Sequence, residues 1–407
     1  MKTILATAYA VNPYKGSEDG MGWNMILQIA KKNKVIAITR ENNQPHIDKY
    51  MEENPSDLYK NIRFAYFDLP YWMRFWKKGG RGAMLYYWMW QRGIVSFIRK
   101  QKFQYDIVHN LNFHNDWTPS YLWKLKKPFV WGPVGHHPRI PSKYLQFYDR
   151  KIKVVDAATW LVKKTFWRLS SSLRVTARKA DHILCMNSSV AKVLPHITHK
   201  STVLPSVATQ DFGYQEKSTN GFNIISAGRL VALKGFDLTI KAFENFYHRL
   251  NQEEQAAVKL TLVGSGPEKE RYCKMIANAG LTDKVEIIAW IDRKDLLNLY
   301  RESSVFLFPS HEGAGMVVAE AMSFGLPVVC LDNEGPGEFV DQSSGIAVNQ
   351  SSSYNETIEE LADGLLHLYR KPDFYQRLSQ GARKRFENNF DWETRHTILD
   401  KVYKKVL

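Results

Sequence analysis

The strongest constraint on the fold is a pattern that occurs twice, once at the start of each half of the chain. Residues 3–11 form a short apolar run, followed by a loop bearing Gly16, Gly20 and Gly22 and then an amphipathic stretch over residues 23–32. Residues 222–227 form a second such run, followed by a loop from Gly228 to Gly235 and helical periodicity over residues 238–250. Strand, glycine-bearing loop, helix is the opening unit of a doubly wound α/β domain. A single hydrophobic core stops growing well below 407 residues, so two openings predict two domains. The expected fold class is therefore α/β, with two Rossmann-like, doubly wound parallel sheets. The expected domains are residues 1–205 and 206–390, with a last helix over 391–407 crossing back to the first.

Further strand candidates follow at βα spacing. In the first half they are residues 35–39, 107–110, 129–131 and 182–186; in the second, 259–263, 285–288, 305–308, 328–331 and 345–348. Helical patterns lie over 268–279, 295–302 and 317–324. A linker is expected within residues 204–220, where Pro205, Gly213 and small polar residues gather. No tandem repeat interrupts this order, and the Ser-rich stretch 349–355 reads as a loop.

Composition excludes several classes. With 44% hydrophobic and 24% charged residues the chain is globular in type, and no apolar run approaches the ~20 residues of a membrane span. The apolar start leads straight into a glycine loop, so it reads as a strand and not as an export signal. That reading predicts a cytoplasmic protein, free or peripheral on the inner face of the cell membrane. Cys185, Cys273 and Cys330 are scattered, which argues against a disulfide framework or a zinc site. The charge is uneven: residues 1–200 carry 33 Lys+Arg against 13 Asp+Glu, while the remainder carries 23 against 28. A basic half suits anionic lipid or a phosphate-rich partner.

The second half carries the sharper chemical signal. In SSVFLFPSHEGAGMVVAE a buried strand ends at Pro309, a polar loop follows, and a helix starts near Met316. Glu312 falls in the loop and Glu320 about one turn into the helix. In open α/β sheets ligands bind beyond the carboxyl ends of the strands. There the free N–H groups of Gly313, Gly315, Met316 and Val317 and the positive end of the helix dipole would face a diphosphate. Upstream, SAGRLVALKG puts Gly228, Arg229 and Lys234 on one loop, where two cations can clamp a pyrophosphate. A third loop, VGSGPEKE, puts Gly264 and Gly266 at another strand end. Each residue alone has a plain reading: Glu320 as a solvated helix residue, Lys234 as a surface lysine. The three loops in this order carry the signal.

These pieces, GRL…KG, VG-G-P, the E-x7-E from Glu312 to Glu320 and its continuation EAMSFGLPVV, resemble glycosyltransferase family 4. The resemblance is specific over residues 222–348 and extends to bacterial polysaccharide-assembly transferases. It implies the glycosyltransferase-B fold, two domains across a cleft, and retaining transfer from a nucleotide diphosphate sugar. It also implies that Arg229 and Lys234 stabilise the departing phosphates, that Glu312 touches the donor sugar and that Glu320 holds the nucleotide ribose. The physical logic agrees, because fixed cations aimed at a leaving phosphate act on the transition state. No Asp-x-Asp occurs, so metal independence is expected. No cofactor is expected, only the co-substrate, a UDP-sugar first and a GDP-sugar second. The acceptor expected is a glycan or a polyprenyl-linked glycan.

The first half should serve the acceptor. Gly16, Ser17 and Glu18 in YKGSEDGMGW would lie against donor phosphates and acceptor, the plain alternative being a βα turn. The strand YDIVHN followed by LNFHND resembles the family's Asp-x-x-His stretch, but Leu111 stands where many members have a second histidine. His109 or His114 could serve instead, or be hydrogen-bonded structural residues. The loop WGPVGHHPR offers His136 and His137 at the acceptor pocket. Residues 67–103 mix large aromatics, among them Tyr71, Trp72, Phe75, Trp76, Tyr86, Tyr87, Trp88, Trp90 and Phe97, with Arg74, Lys77, Lys78, Arg81, Arg92, Arg99, Lys100 and Lys102 around one acid, Asp68. Residues 163–168 repeat the theme. Such mixtures suit an anionic membrane interface. The alternative is a core helix over 84–98, and one helix can do both.

Three rival readings differ in class, one of them a transferase relic with a structural role, against which Arg229, Lys234, Glu312 and Glu320 argue together. An epimerase or phosphorylase on the same architecture would release no nucleoside diphosphate. A non-enzymatic nucleic-acid binder would need a recognisable module, and none occurs.

Overall fold

The computed structural model describes residues 1–79, 82–111, 115–194, 196–205, 207–214, 221–289, 291–350 and 353–407. Two compact units emerge. One comprises Met1–His136, Trp160–Ser206 and Trp392–Leu407, the other His137–Thr159 and Val207–Asp391.

The first unit is built on seven strands: β1 (Thr3–Ala8), β2 (Lys34–Thr39), β3 (Ile62–Tyr66), β4 (Ile107–Leu111), β5 (Phe129–Val134), β6 (His182–Cys185) and β7 (Ser201–Val203). They lie in the order β3-β2-β1-β4-β5-β6-β7, with every pairing parallel. Central strands such as TILATA and IVHNL are almost wholly buried, as a parallel sheet covered on both faces requires. β3 and β7 escape a sequence reading. β3 spells IRFAY with Arg63 exposed, and β7 has three residues; both are edge strands with little apolar signal.

The glycine loop after β1 is shorter than expected. Helix begins at Ser17 and runs to Ala30, so Gly20 and Gly22 are buried helical residues. Gly20 lets the turn press on the preceding loop: a Cβ there would lie 2.4 Å from the carbonyl oxygen of Lys15. Glu18 and Asp19 in the first turn favour this early start, since acids at a helix N-terminus complement its dipole. The aromatic stretch forms helix Ala83–Gln101, whose inner face buries Tyr86, Tyr87, Trp90, Ile94, Val95 and Ile98. The terminal helix, Trp392–Val406, belongs to this unit. Lys31 pairs with Glu393, and Tyr403 is fully buried.

The second unit has six parallel strands: β8 (Phe222–Ala227), β9 (Val258–Val263), β10 (Val285–Ile288), β11 (Val305–Phe308), β12 (Val328–Asp332) and β13 (Gly345–Asn349). Their order is β10-β9-β8-β11-β12-β13, the doubly wound order that reverses between β8 and β11. Helix Phe236–His248 buries Phe236, Phe243 and Phe246 completely, each contributing about 1.5–3 kcal/mol by leaving water.

The segment His137–Thr159, expected in the first domain, packs in the second unit. Its Tyr148 hydroxyl donates to Asp237 at 2.7 Å, and the Arg271 guanidinium lies 3.9 Å over the Tyr148 ring. Tyr144 shares a 3.0 Å hydrogen bond with Thr357. Asp237 is buried, which pushes its carboxyl above the usual range, while the Tyr148 bond opposes the shift. Tyr354 also donates to it at 3.2 Å. These anchors satisfy a buried carboxylate that an unaccompanied α/β core would leave bare. Much of the expected linker, including residues 215–220, lies outside the described residues. Thr209 is tied to the Phe390 carbonyl at 2.9 Å.

Candidate functional site

The second unit's sheet reverses order between β8 and β11, and the loops that leave these two strands hold the candidate site. After β8 the chain passes Gly228, Arg229 and Leu230 into a turn over Ala232–Lys234 that ends at Gly235. Gly235 has φ +67°, and a Cβ there would lie 2.1 Å from the carbonyl oxygen of Pro309, so only glycine lets the two loops approach this closely. The His311 N–H donates to the Leu233 carbonyl at 2.9 Å and seals the contact. This docking sets Lys234 against Glu312, with Nζ and Oε1 2.6 Å apart.

Both side chains of that pair are largely shielded, 14% and 12% exposed, and the ammonium lies 5.0 Å over the Phe308 ring. A shielded ion pair has strong local fields and tolerates loss of one partner poorly. The loop after β9 joins them. A Cβ at Gly264 would lie 1.8 Å from the Gly228 carbonyl oxygen, and one at Gly266 would lie 2.3 Å from that of Leu230. The Leu230 N–H donates to Ser265 at 2.9 Å. Gly228, Gly264 and Gly266 are thus needed for the loops to nest, whatever ligand they meet. Arg229 stands on the same loop, exposed, with no ion pair among the described residues.

Helix Met316–Ser323 follows β11 with Gly315 at its N-cap. The N–H groups of Met316 and Val317 in its first turn have no intrahelical acceptor. Gly313 differs from expectation: its N–H donates to His137 Nδ1 at 3.2 Å, so that donor is not bare. The same bond corrects the reading of His137. It belongs to the second unit and not to the first domain.

Glu320 is 5% exposed and receives a 2.8 Å hydrogen bond from Arg293 Nη2. Burial pushes its carboxyl up while Arg293 draws it down. Sequence reasoning missed Arg293. The available signal was its place at the start of helix Arg293–Glu302, just beyond a strand end. His311 was missed too. It is buried, its ring lies 4.7 Å from that of Tyr144, and among the described residues its Nδ1 has no partner. Burial pushes it down to about 3.

In the first unit the candidates are not brought together in this way. Gly16 and Ser17 are exposed at the start of helix Ser17–Ala30, Ser17 with φ +55°, and Glu18 is half-buried. His109 is fully buried. Its Nε2 lies 2.8 Å from the Gly132 carbonyl, which can only accept, so Nε2 carries the proton and Nδ1 accepts from Tyr403 at 2.7 Å. Burial pushes it down to about 3. This is a neutral structural histidine, which corrects the catalytic reading of His109. His114 lies outside the described residues. His136 is buried, with Nδ1 2.6 Å from Asp116 and its ring against Trp160 and Trp167. Among the described residues no group of three His, Cys, Asp or Glu could hold a metal ion, and no helix is long and apolar enough to cross a membrane.

Residues 208–385 match the family of glycosyl transferases group 1. An uncharacterized glycosyltransferase of Haemophilus influenzae is 29% identical over 212 residues, 51% of this chain and 55% of that protein. The D-inositol 3-phosphate glycosyltransferase of Saccharomonospora viridis is 30% identical over 187 residues, 44% of this chain and 42% of that one. The chain thus spans about half the length of these curated relatives. Among solved structures, Anabaena Alr3699/HepE in complex with UDP and glucose superposes with a TM-score of 0.63 at 15% identity, covering 99% of this chain and 100% of that one. WaaG, a glycosyltransferase involved in lipopolysaccharide biosynthesis, gives 0.62 at 14% identity, covering 98% and 99%. These likenesses extend over both sheets and establish the fold as the glycosyltransferase-B type. With its switch-point loops assembled on that fold, the chain carries a glycosyl transferases group 1 domain over residues 208–385.

Proposed function

We propose that the protein is a retaining glycosyltransferase that moves a sugar from a nucleotide diphosphate sugar to a glycan or polyprenyl-linked acceptor in cell-surface polysaccharide assembly. The observation that carries this reading is the shielded Lys234–Glu312 pair at the switch point of the second sheet, beside the first turn of helix Met316–Ser323. Charge that grows on a departing diphosphate there meets Lys234, Arg229 and the helix N-terminus. Preorganised donors of this kind lower the barrier without reorganising. Glu312 then orients the donor sugar through its hydroxyls while holding Lys234 in place. Glu320 takes the ribose, which requires Arg293 to share or release its carboxylate.

A UDP-sugar is the first donor to test and a GDP-sugar the second; the UDP bound by HepE supports that order. The lack of any Asp-x-Asp supports a metal-independent reaction. Loss of activity with chelator and its return with manganese would count against that. The basic, aromatic first half supports peripheral attachment to an anionic membrane. The deciding experiment is a thermal-shift screen of nucleotide sugars, followed by assay of nucleoside diphosphate release and NMR of the product anomer. The reading predicts release and retained anomeric configuration. Absence of both shift and release across UDP- and GDP-sugars ends it, and inversion ends the retaining part.

A further inference from the structure

The first unit carries a groove whose lining shares no residue with the candidate site above. Its walls are Leu85 and Trp88 on helix Ala83–Gln101, Trp117, and Phe166 and Leu169 near the end of helix Arg150–Leu169; its volume is about 600 Å³, within the range of small-molecule sites. Trp117 meets Phe166 edge-on, with ring centroids 5.1 Å apart. Helix Ala83–Gln101 spends one face on the core, and Leu85 on another face stays 56% exposed. Across the groove Leu169 is 73% exposed, and Leu161 on the same helix is 67% exposed. Just before helix Ala83–Gln101, Tyr71, Trp72 and Phe75 are 75%, 72% and 60% exposed. Trp76 ties that segment down, because its ring sits where a Cβ on Gly82 would fall. Scattered exposed leucines need no explanation, but contiguous apolar walls with exposed leucines on both sides mark an interaction site.

Charge decides the partner. Residues 69–105 contain eight Lys and Arg and no Asp or Glu, and residues 157–180 contain six and none. The cations sit directly on the aromatics: the Arg92 guanidinium lies 5.8 Å over Trp88, and the Lys163 ammonium lies 5.7 Å over Trp160. A protein partner with an acidic face would match the cations but not the exposed hydrocarbon groove. A bilayer matches both, its headgroups meeting the cations and its acyl chains the groove. The cations are spread over several elements, which suits a charged surface better than one headgroup.

We infer that this groove takes an acyl chain of an anionic phospholipid and so fixes the first unit on the membrane. The inference deepens the peripheral reading above and rests on it. The test uses the full chain and phosphatidylcholine vesicles with or without phosphatidylglycerol carrying a mid-chain diazirine. Irradiation should place adducts on the peptides containing Leu85 and Leu169. The double variant Leu85→Glu, Leu169→Glu changes exposed side chains only and should fold. It should lose those adducts and reduce vesicle binding by roughly tenfold or more, while its thermal shift with UDP stays as in the parent chain. Vesicle binding with adducts elsewhere, or unchanged binding of the double variant, overturns the groove and leaves the peripheral reading standing. A parent chain that ignores anionic vesicles at low salt overturns both. A dimer that the double variant turns into monomers, with vesicle binding unaltered, reassigns the face to a second copy and overturns the inference. Failure of the transferase reading shows separately, as absent nucleoside diphosphate release in every variant.

Discussion

The loops after β1 and β8 start from the same grammar and reach different ends. After β8, glycine is spent on contact with neighbouring loops: Gly235 there and Gly264 in the loop after β9 both have positive φ, and side chains added at them would strike backbone of the facing loop within 2.1 Å. That nesting shields Lys234 and Glu312 together. After β1, the glycines at 20 and 22 are absorbed into a helix, and Gly16 and Ser17 stay exposed at its start. A glycine-rich loop therefore announces close packing. Whether it also builds a charged site depends on what the neighbouring strand end supplies.

The comparison breaks first at the charged pair. Lys234→Ala should reduce sugar transfer by roughly a thousandfold, equivalent to about 4 kcal/mol of barrier. Ser17→Ala should cost less than about tenfold. Steady-state rates of diphosphate release decide. Equal losses would mean that both loops stabilise the leaving group alike. Next comes the nesting. Gly264→Ala meets the Gly228 carbonyl at φ +151° and should cost about 3 kcal/mol, a fall in Tm of about 6–12 °C. Gly16 has φ −86°, so Gly16→Ala should stay within about 0.5 kcal/mol. Calorimetry that ranks them the other way refutes the close-packing account.

The third contrast is between His109 and His311, two buried histidines, one in each unit. Both are pushed down to about 3 by burial, whereas an unfolded histidine titrates near ~6.5. Above pH 6.5 both states are neutral and nothing is lost. As pH falls from about 6.5 towards 3, the unfolded chain binds protons that the folded histidines refuse. Stability should drop by about 1.4 kcal/mol per pH unit for each. Urea titrations from pH 7 to 4 test this. His311→Phe should flatten the slope at small cost, since Nδ1 already lacks a partner among the described residues. His109→Phe should flatten it too but weaken the fold at pH 7, since it strands the Gly132 carbonyl and the Tyr403 hydroxyl. Tyr403→Phe, which removes one hydrogen bond to His109, should cost about 1 kcal/mol.

Local sequence determined much of this molecule. Apolar runs next to glycine or proline gave β8 and β11 to the residue, because a strand buried on both faces has no polar register to obscure it. The order of three strand-end loops marked Lys234 and Glu312, because their chemistry is written in residue type. Other features had no local signature. Edge strand β3 is at most half-buried, and the His137–Thr159 segment joins the second unit through Tyr148, whose partner Asp237 lies 89 residues on. His109 looked catalytic until Tyr403, 294 residues away, closed over it, and Arg293 declared itself only by reaching Glu320. Periodicity and composition act along the chain. Burial and the partner of a polar atom are set by segments distant in sequence, and these only the tertiary structure brings together.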